Sequence, residues 1–273
     1  MAKFNLEQIY DYWEQKAKKY GSSPAASWSD QPVMDMEIRE ILTWLADRDK
    51  VLDIGCANGY STLQYAARKE IHILGIDVVP KMIESAGELL EQVKNQLRGT
   101  AVFETGNILS LAHLAQRYDK VLVKRVISNL SEYELQLKGI RECLKVLKPG
   151  GLLLLSDATL QGWRNLNKFR QEWDLSEIPM PPFNSYLDRE QLINDIPAEM
   201  ELELVGTKNF ASTYYVGTRV LKPLMIRALG LDIDAANPDM EWNRWFAQLP
   251  SWGDYGTQEL FVFKKSKSSE DSF

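Results

Sequence analysis

Lys50-Val51-Leu52-Asp53-Ile54-Gly55-Cys56-Ala57-Asn58-Gly59-Tyr60-Ser61 is the stretch whose reading decides the fold. Val51, Leu52 and Ile54 form the apolar run of a buried parallel strand. Gly55 and Gly59 let the backbone turn sharply and approach a ligand with no Cβ in the way. A helix starting near Tyr60 offers free N–H groups at its N-terminus. A second strand, 71–77, ends on Asp77. Nucleotide-binding βαβ units place an acid at about that distance to hold a ribose diol.

Two ligand classes use such a turn. Nicotinamide enzymes want G-x-G-x-x-G, with a small third residue where helix meets strand. Here Ala57 replaces the middle glycine and Tyr60 fills the third position, where a tyrosine obstructs a pyrophosphate cradle. The pattern Asp53-x-Gly55-x-x-x-Gly59 instead resembles motif I of class I S-adenosylmethionine (SAM) methyltransferases. A strand–turn–helix without a ligand is the bland alternative.

The chain outward from this turn alternates strands with helices, which implies a mostly parallel sheet covered on both faces. Strands are expected at 50–55, 71–77, 101–105, 120–126 and 151–157, and helices at 60–68, 80–96, 109–116 and 131–147. Right-handed crossovers bring the strand C-terminal ends to one edge, where ligands bind. Just past those ends stand Gly55, Cys56 and Ala57; Asp77 and Val78; Asn107 and Ile108; and Lys124, Arg125 and Asn129. Leu147-Lys148-Pro149-Gly150-Gly151 looks like the lead-in to strand five of the same methyltransferase class.

The resemblance implies a Rossmann-like α/β fold with seven strands in the order 3-2-1-4-5-7-6. It implies SAM as cofactor, with S-adenosylhomocysteine as product. The cofactor contacts expected from it are Asp53, Gly55, Cys56, Ala57, Gly59, Asp77, Val78, Asn107, Ile108, Lys124 and Arg125. Helices at 5–20 and 33–46 flank an aromatic loop, and the class often closes such a segment over its cofactor. Tyr20, Trp28 and Asp30 are therefore expected beside the site, unless these aromatics simply pack on the sheet.

Residues 1–48 thus read as an N-terminal helical lid and 49–160 as the cofactor-binding core. Residues 161–265 carry further helices and strands six and seven, with an insertion between those strands expected to roof the substrate pocket. Residues 266–273 read as a frayed tail. This half is similar to bacterial methyltransferases of surface-polysaccharide and secondary-metabolite pathways. The matching pieces are Asn184-Ser185-Tyr186-Leu187, Ser212-Thr213-Tyr214-Tyr215 with Arg219, and Leu249-Pro250-Ser251-Trp252-Gly253-Asp254-Tyr255-Gly256. Substrate contacts are expected from Asn129, Tyr186, Tyr214, Tyr215 and Arg219.

Composition narrows the partners. The chain has 273 residues, 32 basic against 38 acidic, and no basic block, so the electrostatic footprint of a nucleic-acid binder is missing. No apolar run approaches the ~20 residues that cross a bilayer. Cytoplasmic residence and a small-molecule acceptor are the expectations; oligomeric state is not legible. Two cysteines and two histidines supply no metal-ligand spacing, so no metal is expected. His72 begins strand two, at the wrong edge, and His113 falls in the expected helix after strand three. Relatives often carry histidine where Phe183 stands, which weakens a histidine-base mechanism. Asp157, ending strand five, is the candidate general base, with a turn cap as its alternative. Methyl transfer to a hydroxyl is the leading reading. Amine methylation, nicotinamide-dependent oxidoreduction and SAM binding without catalysis are the alternatives.

Overall fold

The computed structural model describes residues 3–114 and 117–266. Strand β1 (Lys50–Ile54) buries four successive residues, which requires neighbours on both edges and cover on both faces. It pairs in parallel with β2 (His72–Asp77) and with β4 (Tyr118–Lys124). β3 (Thr100–Thr105) extends the sheet beyond β2, and β5 (Leu147–Ala158) extends it beyond β4, both in parallel. β7 (Gln258–Lys265) runs antiparallel between β5 and β6 (Leu202–Lys208). The order is β3-β2-β1-β4-β5-β7-β6, as expected from the resemblance.

Side-chain alternation divides the core in two. Leu52, Ile54, Val121, Val123, Leu153 and Leu155 face one layer, which includes α5 (Tyr133–Val146) and α7 (Ile196–Met200). Val51, Leu122 and Leu154 face the other, with α2 (Gln31–Leu42), α3 (Tyr60–Arg68) and α6 (Leu160–Glu172). α4 (Pro80–Val93) follows β2. α1 (Leu6–Tyr20) starts on an Asn5/Gln8 capping box and stops at Gly21, whose φ is 51°. It rests on a small separate cluster with Ala17, Ala26, Val79 and Met82.

Two expectations about these elements change, and a third lies outside the described residues. No helix forms over residues 109–114, and 115–116 lie outside the described residues. The Asn107 side chain accepts the Leu109 N–H at 2.9 Å, offering the backbone a turn in place of a helix. β4 and β5 begin earlier than the apolar runs suggest, because Tyr118 pairs with Leu147 ahead of the main register. The expected tail falls, beyond residue 266, outside the described residues.

The insertion between β6 and β7 also goes elsewhere than expected. α8 (Ser212–Tyr215) runs through widened π turns (Val216–Leu221) into α9 (Lys222–Leu229), followed by α10 (Glu241–Phe246). The widened turns lead into Pro223, which lacks an N–H and crowds the preceding turn of an α-helix. Tyr214, Tyr215, Val220 and Phe246 pack into the α2-side core. Asp30, just before α2, accepts the Tyr214 hydroxyl at 2.7 Å and pairs with Arg219. The insertion therefore clamps the α1–α2 linker.

The most deeply buried ion pair joins Lys124 at the end of β4 to Asp53 in β1. Thr62 donates to the second oxygen of Asp53 at 2.6 Å. Removing one partner leaves a buried charge uncompensated, so Lys124→Met should cost ~3–5 kcal/mol in urea unfolding. Asp53→Leu added to it should restore most of the loss. A single variant as stable as the parent would show that the unpaired charge carries no such penalty.

Candidate functional site

A cavity of about 360 Å³ opens over the C-terminal ends of β1, β2, β3 and β4. That is within the range of small-ligand sites. Ile54, Gly55 and Ala57 form its base. Asp77, Val78, Val79 and Met82 make one side, continued by Gly106, Asn107 and Ile108. Lys124, Arg125, Val126 and Asn129 make the other. α1 roofs it with Leu6, Ile9, Tyr10 and Trp13.

The turn after β1 is shaped by its neighbours. Gly55 has φ 70°, and a Cβ there would meet Val126 Cγ2 at 2.1 Å. Gly59 has φ 75°, and a Cβ there would meet the Phe103 ring at 2.6 Å. Each glycine is needed for packing, Gly55 against the loop after β4 and Gly59 against β3, in addition to any approach of a ligand. Ala57 takes φ 50° and presents its N–H to Asp77 Oδ2 at 3.0 Å. Asp77 Oδ1 accepts the Val79 N–H at 2.9 Å. Burial pushes the Asp77 carboxyl up to about 6, against the pull of these backbone donors.

The β4 side is built around Arg125, a non-glycine residue at φ 57°. Its N–H donates to the Ser156 carbonyl at 2.7 Å, and its own carbonyl accepts Asn129 Nδ2 at 2.5 Å. Its guanidinium pairs with Glu37, fully buried on α2, and lies 4.9 Å from the centre of the Trp28 ring. Glu37 also accepts the Ser156 hydroxyl at 2.6 Å. Trp13 of the roof donates through Nε1 to Asn129 Oδ1 at 3.2 Å. Asn58 Nδ2 holds the end of α1 through the carbonyls of Gly21 at 2.9 Å and Ser23 at 2.7 Å.

Of the expected contacts, Gly55, Ala57, Asp77, Val78, Asn107, Ile108, Lys124, Arg125 and Asn129 line this cavity. The remainder stand behind it. Asp53 is buried under the turn and spent on Lys124 and Thr62. Cys56 is buried, and burial together with Asp77 and Asp53 pushes its thiol well up, away from the reactive thiolate. Gly59 caps α3. Tyr20 packs in the cluster beneath α1, and Trp28 reaches the cavity only through Arg125. Asp30, Tyr214 and Arg219 form the clamp on the linker. Tyr215 accepts the Thr257 hydroxyl at 3.1 Å, and Tyr186 packs edge-on to Trp163.

Asp157 is fully buried and does not line the cavity. Its oxygens accept the N–H groups of Ser128 at 3.0 Å and Ala158 at 2.9 Å. Burial raises it to about 6. It holds the loop that carries Asn129. His72 is exposed on the far edge, bonded to Thr100, and His113 is exposed in a turn. Among the described residues no group of three or more His, Cys, Asp or Glu side chains gathers to hold a metal.

Glu37, Trp13, Met82 and Asn58 were missed by the sequence reading. Only Trp13, on the periodic face of the first helix, carried a signal. The cavity fits a nucleoside with an aminoacyl tail. Asp77 places a carboxylate in the lining, Val78, Met82 and Ile108 place apolar side chains beside it, and Gly55 and Ala57, after the intervening strand β1, lie between these and Arg125.

Comparison with known proteins bears on the family and the fold. A probable methyltransferase of Aspergillus luteorubrus is 28% identical over 131 residues, 46% of each chain. The 27-O-demethylrifamycin SV methyltransferase of Amycolatopsis mediterranei is 27% identical over 143 residues, 49% of this chain and 50% of that one. The chain thus spans about half the length of these relatives. The crystal structure of magnesium protoporphyrin IX methyltransferase from Synechocystis, with bound SAH, superposes with TM-score 0.61 at 13% identity, over 96% of this chain and 100% of that one. Its sheet architecture is shared. Residues 45–190 match the family described as Methyltransferase domain, and the chain belongs to that family, in the class I SAM-dependent fold.

Proposed function

We propose that the protein is a SAM-dependent methyltransferase acting on the hydroxyl of a small molecule. The observation that carries the reading is a single roofed cavity joining Asp77 to Arg125 and Asn129 across the Gly55 turn. When bound, SAM supplies a methyl group already activated by its sulfonium. The chain's part is to bind, align and exclude water. Asp77 accepts the ribose hydroxyls while its own carboxylate is kept in place by Ala57 and Val79. Val78, Met82 and Ile108 cover the purine, and Asn107 stands beside its edge. α1 closes the site through Trp13 and Asn129.

The acceptor side begins at Asn129, which Asp157 supports through the Ser128 backbone. Asp157 acts here as a positioning group, since both its oxygens are occupied and it does not reach the cavity. The hydroxyl preference is supported by the name of the rifamycin relative. The acidic balance of the chain, 32 basic against 38 acidic residues, favours a small acceptor over a nucleic acid. No helix of the described residues is long and apolar enough to cross a membrane. The 1–48 segment serves as the closure of the site, and 49–160 as its cofactor-binding body.

Asp77 gives the first test. Ribose hydroxyls donate to the ionised carboxylate, so binding favours the deprotonated form. Its apo value of about 6 means that S-adenosylhomocysteine affinity, measured by calorimetry, should be constant above pH 7 and fall as the pH drops through 6. The fall should approach tenfold about one unit below that value. Asp77→Asn should bind more weakly by ~1–3 kcal/mol and lose this pH dependence. A native profile flat from pH 5 to pH 8 would remove Asp77 from the diol site.

The acceptor class is tested separately. Purified protein incubated with SAM and matched hydroxyl and amine acceptors should release S-adenosylhomocysteine with the hydroxyl compounds. Turnover confined to amines would overturn the oxygen assignment and leave the fold assignment standing.

A further inference from the structure

Surface helices ordinarily turn apolar residues inward and charges outward. α9 does the reverse. Lys222 is buried, and its Nζ donates to Asn243 Oδ1 at 2.9 Å and to the Asn237 carbonyl at 2.6 Å. Arg227 is tied back to the body through the carbonyls of Trp173 and Asp174, both at 2.9 Å. The outward face is apolar. Leu221, just before α9, and Met225 and Leu229 within it recur every fourth residue and share one side of the helix. They are 40%, 46% and 61% exposed. Beyond Gly230, which closes the helix in a left-handed turn, Leu231 and Ile233 are 45% and 40% exposed. None of these five side chains lines the cavity.

Apolar residues exposed singly are ordinary and need no partner. Five large ones within residues 221–233, on a helix whose charged residues anchor it from behind, are a different case. Their exposed surface amounts to roughly 450 Å² per copy, in the range of the largest apolar patch on a typical monomer. Two copies supply about 900 Å². That is close to the apolar share, a little over half, of the ~1,600 Å² buried by an interface of standard size.

We infer that the outward face of α9 is a dimer interface, covered by the same face of a second copy of this chain running antiparallel. A twofold contact must be self-complementary, with each residue i meeting j and each j meeting i. The stripe Leu221, Met225, Leu229 reads the same in both directions. A twofold axis at Met225 sets the two Met225 side chains against each other and each Leu221 against a Leu229. Charge selects the direction. Asp232 and Asp234, both exposed, alternate with Leu231 and Ile233 at one end of the stripe. Antiparallel packing sends the two acidic segments to opposite ends of the contact, more than about 12 Å apart along the helix. That exceeds the ~8 Å screening length at physiological salt, whereas parallel packing would bring them together. The same acids argue against a lipid surface as the occupant. Helices that lie on anionic bilayers border their apolar face with Lys and Arg, and an acidic border is repelled.

Analytical ultracentrifugation tests the contact. The native full-length chain should sediment as a dimer at micromolar concentration. Met225→Glu sets two like charges face to face on the twofold axis and should weaken the dimer by at least about thirtyfold. Its circular dichroism spectrum should match the native one, since Met225 is exposed in the single chain. Leu221→Lys and Leu229→Glu should each dissociate the dimer. Combined in one chain they place a lysine opposite a glutamate at both ends of the contact, and the double variant should dimerise more tightly than either single one. A native chain that stays monomeric, a dimer indifferent to Met225→Glu, or a double variant no tighter than the single ones overturns the proposal. So does a monomeric native chain that cosediments with vesicles of phosphatidylcholine and phosphatidylglycerol and loses them on Met225→Glu, which would give the face to a lipid surface.

Discussion

The space above Gly55 is already taken. Val126, one residue past the Arg125 turn, presses against that glycine so closely that a Cβ there would sit 2.1 Å from its methyl group. The loops leaving β1 and β4 therefore interlock, and neither can be rebuilt without the other. This contact places Ala57, Arg125 and Asn129 around one opening. Asp77 enters from the next strand and ties the same turn from the other side through the Ala57 N–H. Residues that follow three strands meet because their loops interlock.

Charge is buried in pairs beneath that opening. Asp53 with Lys124, and Glu37 with Arg125, stand side by side at the ends of β1 and β4. Each acid has a second donor, Thr62 for Asp53 and Ser156 for Glu37. Pairs this deep gain little net stability, because desolvation offsets much of the attraction. Their consequence here is positional. Lys124 is drawn down into the protein, and the adjacent Arg125, turned by its left-handed backbone, faces the cavity. Two neighbouring cations in the sequence thus pair with acids on different elements, β1 for Lys124 and α2 for Arg125.

Much of this was legible from the residues, and the rest was hidden for identifiable reasons. The strand–turn–helix at 50–61, Asp77 at the end of the next strand and the turn before β5 depend on local chemistry, and all were readable. The helix over Tyr60–Arg68 has the expected bounds. The helix expected after β3 was not found, because Asn107 can satisfy the Leu109 N–H itself. Glu37 falls within the helix expected at 33–46 and carries no local mark. Its burial depends on an arginine 88 residues away, and no local pattern records such a partner. The expectation that the tyrosines of the insertion line a substrate pocket follows from the resemblance of their segment. The hydroxyl of Tyr214 is satisfied by Asp30 and Asn243, and that of Tyr215 by Thr257.

The two N-terminal helices differ in what they bury, and this bears on how a closed site fills. α2 buries Val33, Met34, Met36, Glu37, Ile38 and Ile41, so it belongs to the core that the sheet needs. α1 buries only Ile9 and Ala17 fully. Its other attachments include the packing of Tyr10, Trp13 and Tyr20 on the cluster with Val79 and Met82, the Asn58 amide, the Trp13–Asn129 bond and the stacking of Tyr12 on Phe183 at 4.4 Å. Segments with few buried apolar contacts open at a fraction of the global unfolding free energy. Lifting α1 uncovers the cavity without disturbing Glu37, Arg125 or Asp77, because none of them belongs to α1 or is hydrogen-bonded to it. The carboxylate and guanidinium that line the cavity are thus on elements of the core, and α1 above them is the more lightly buried element.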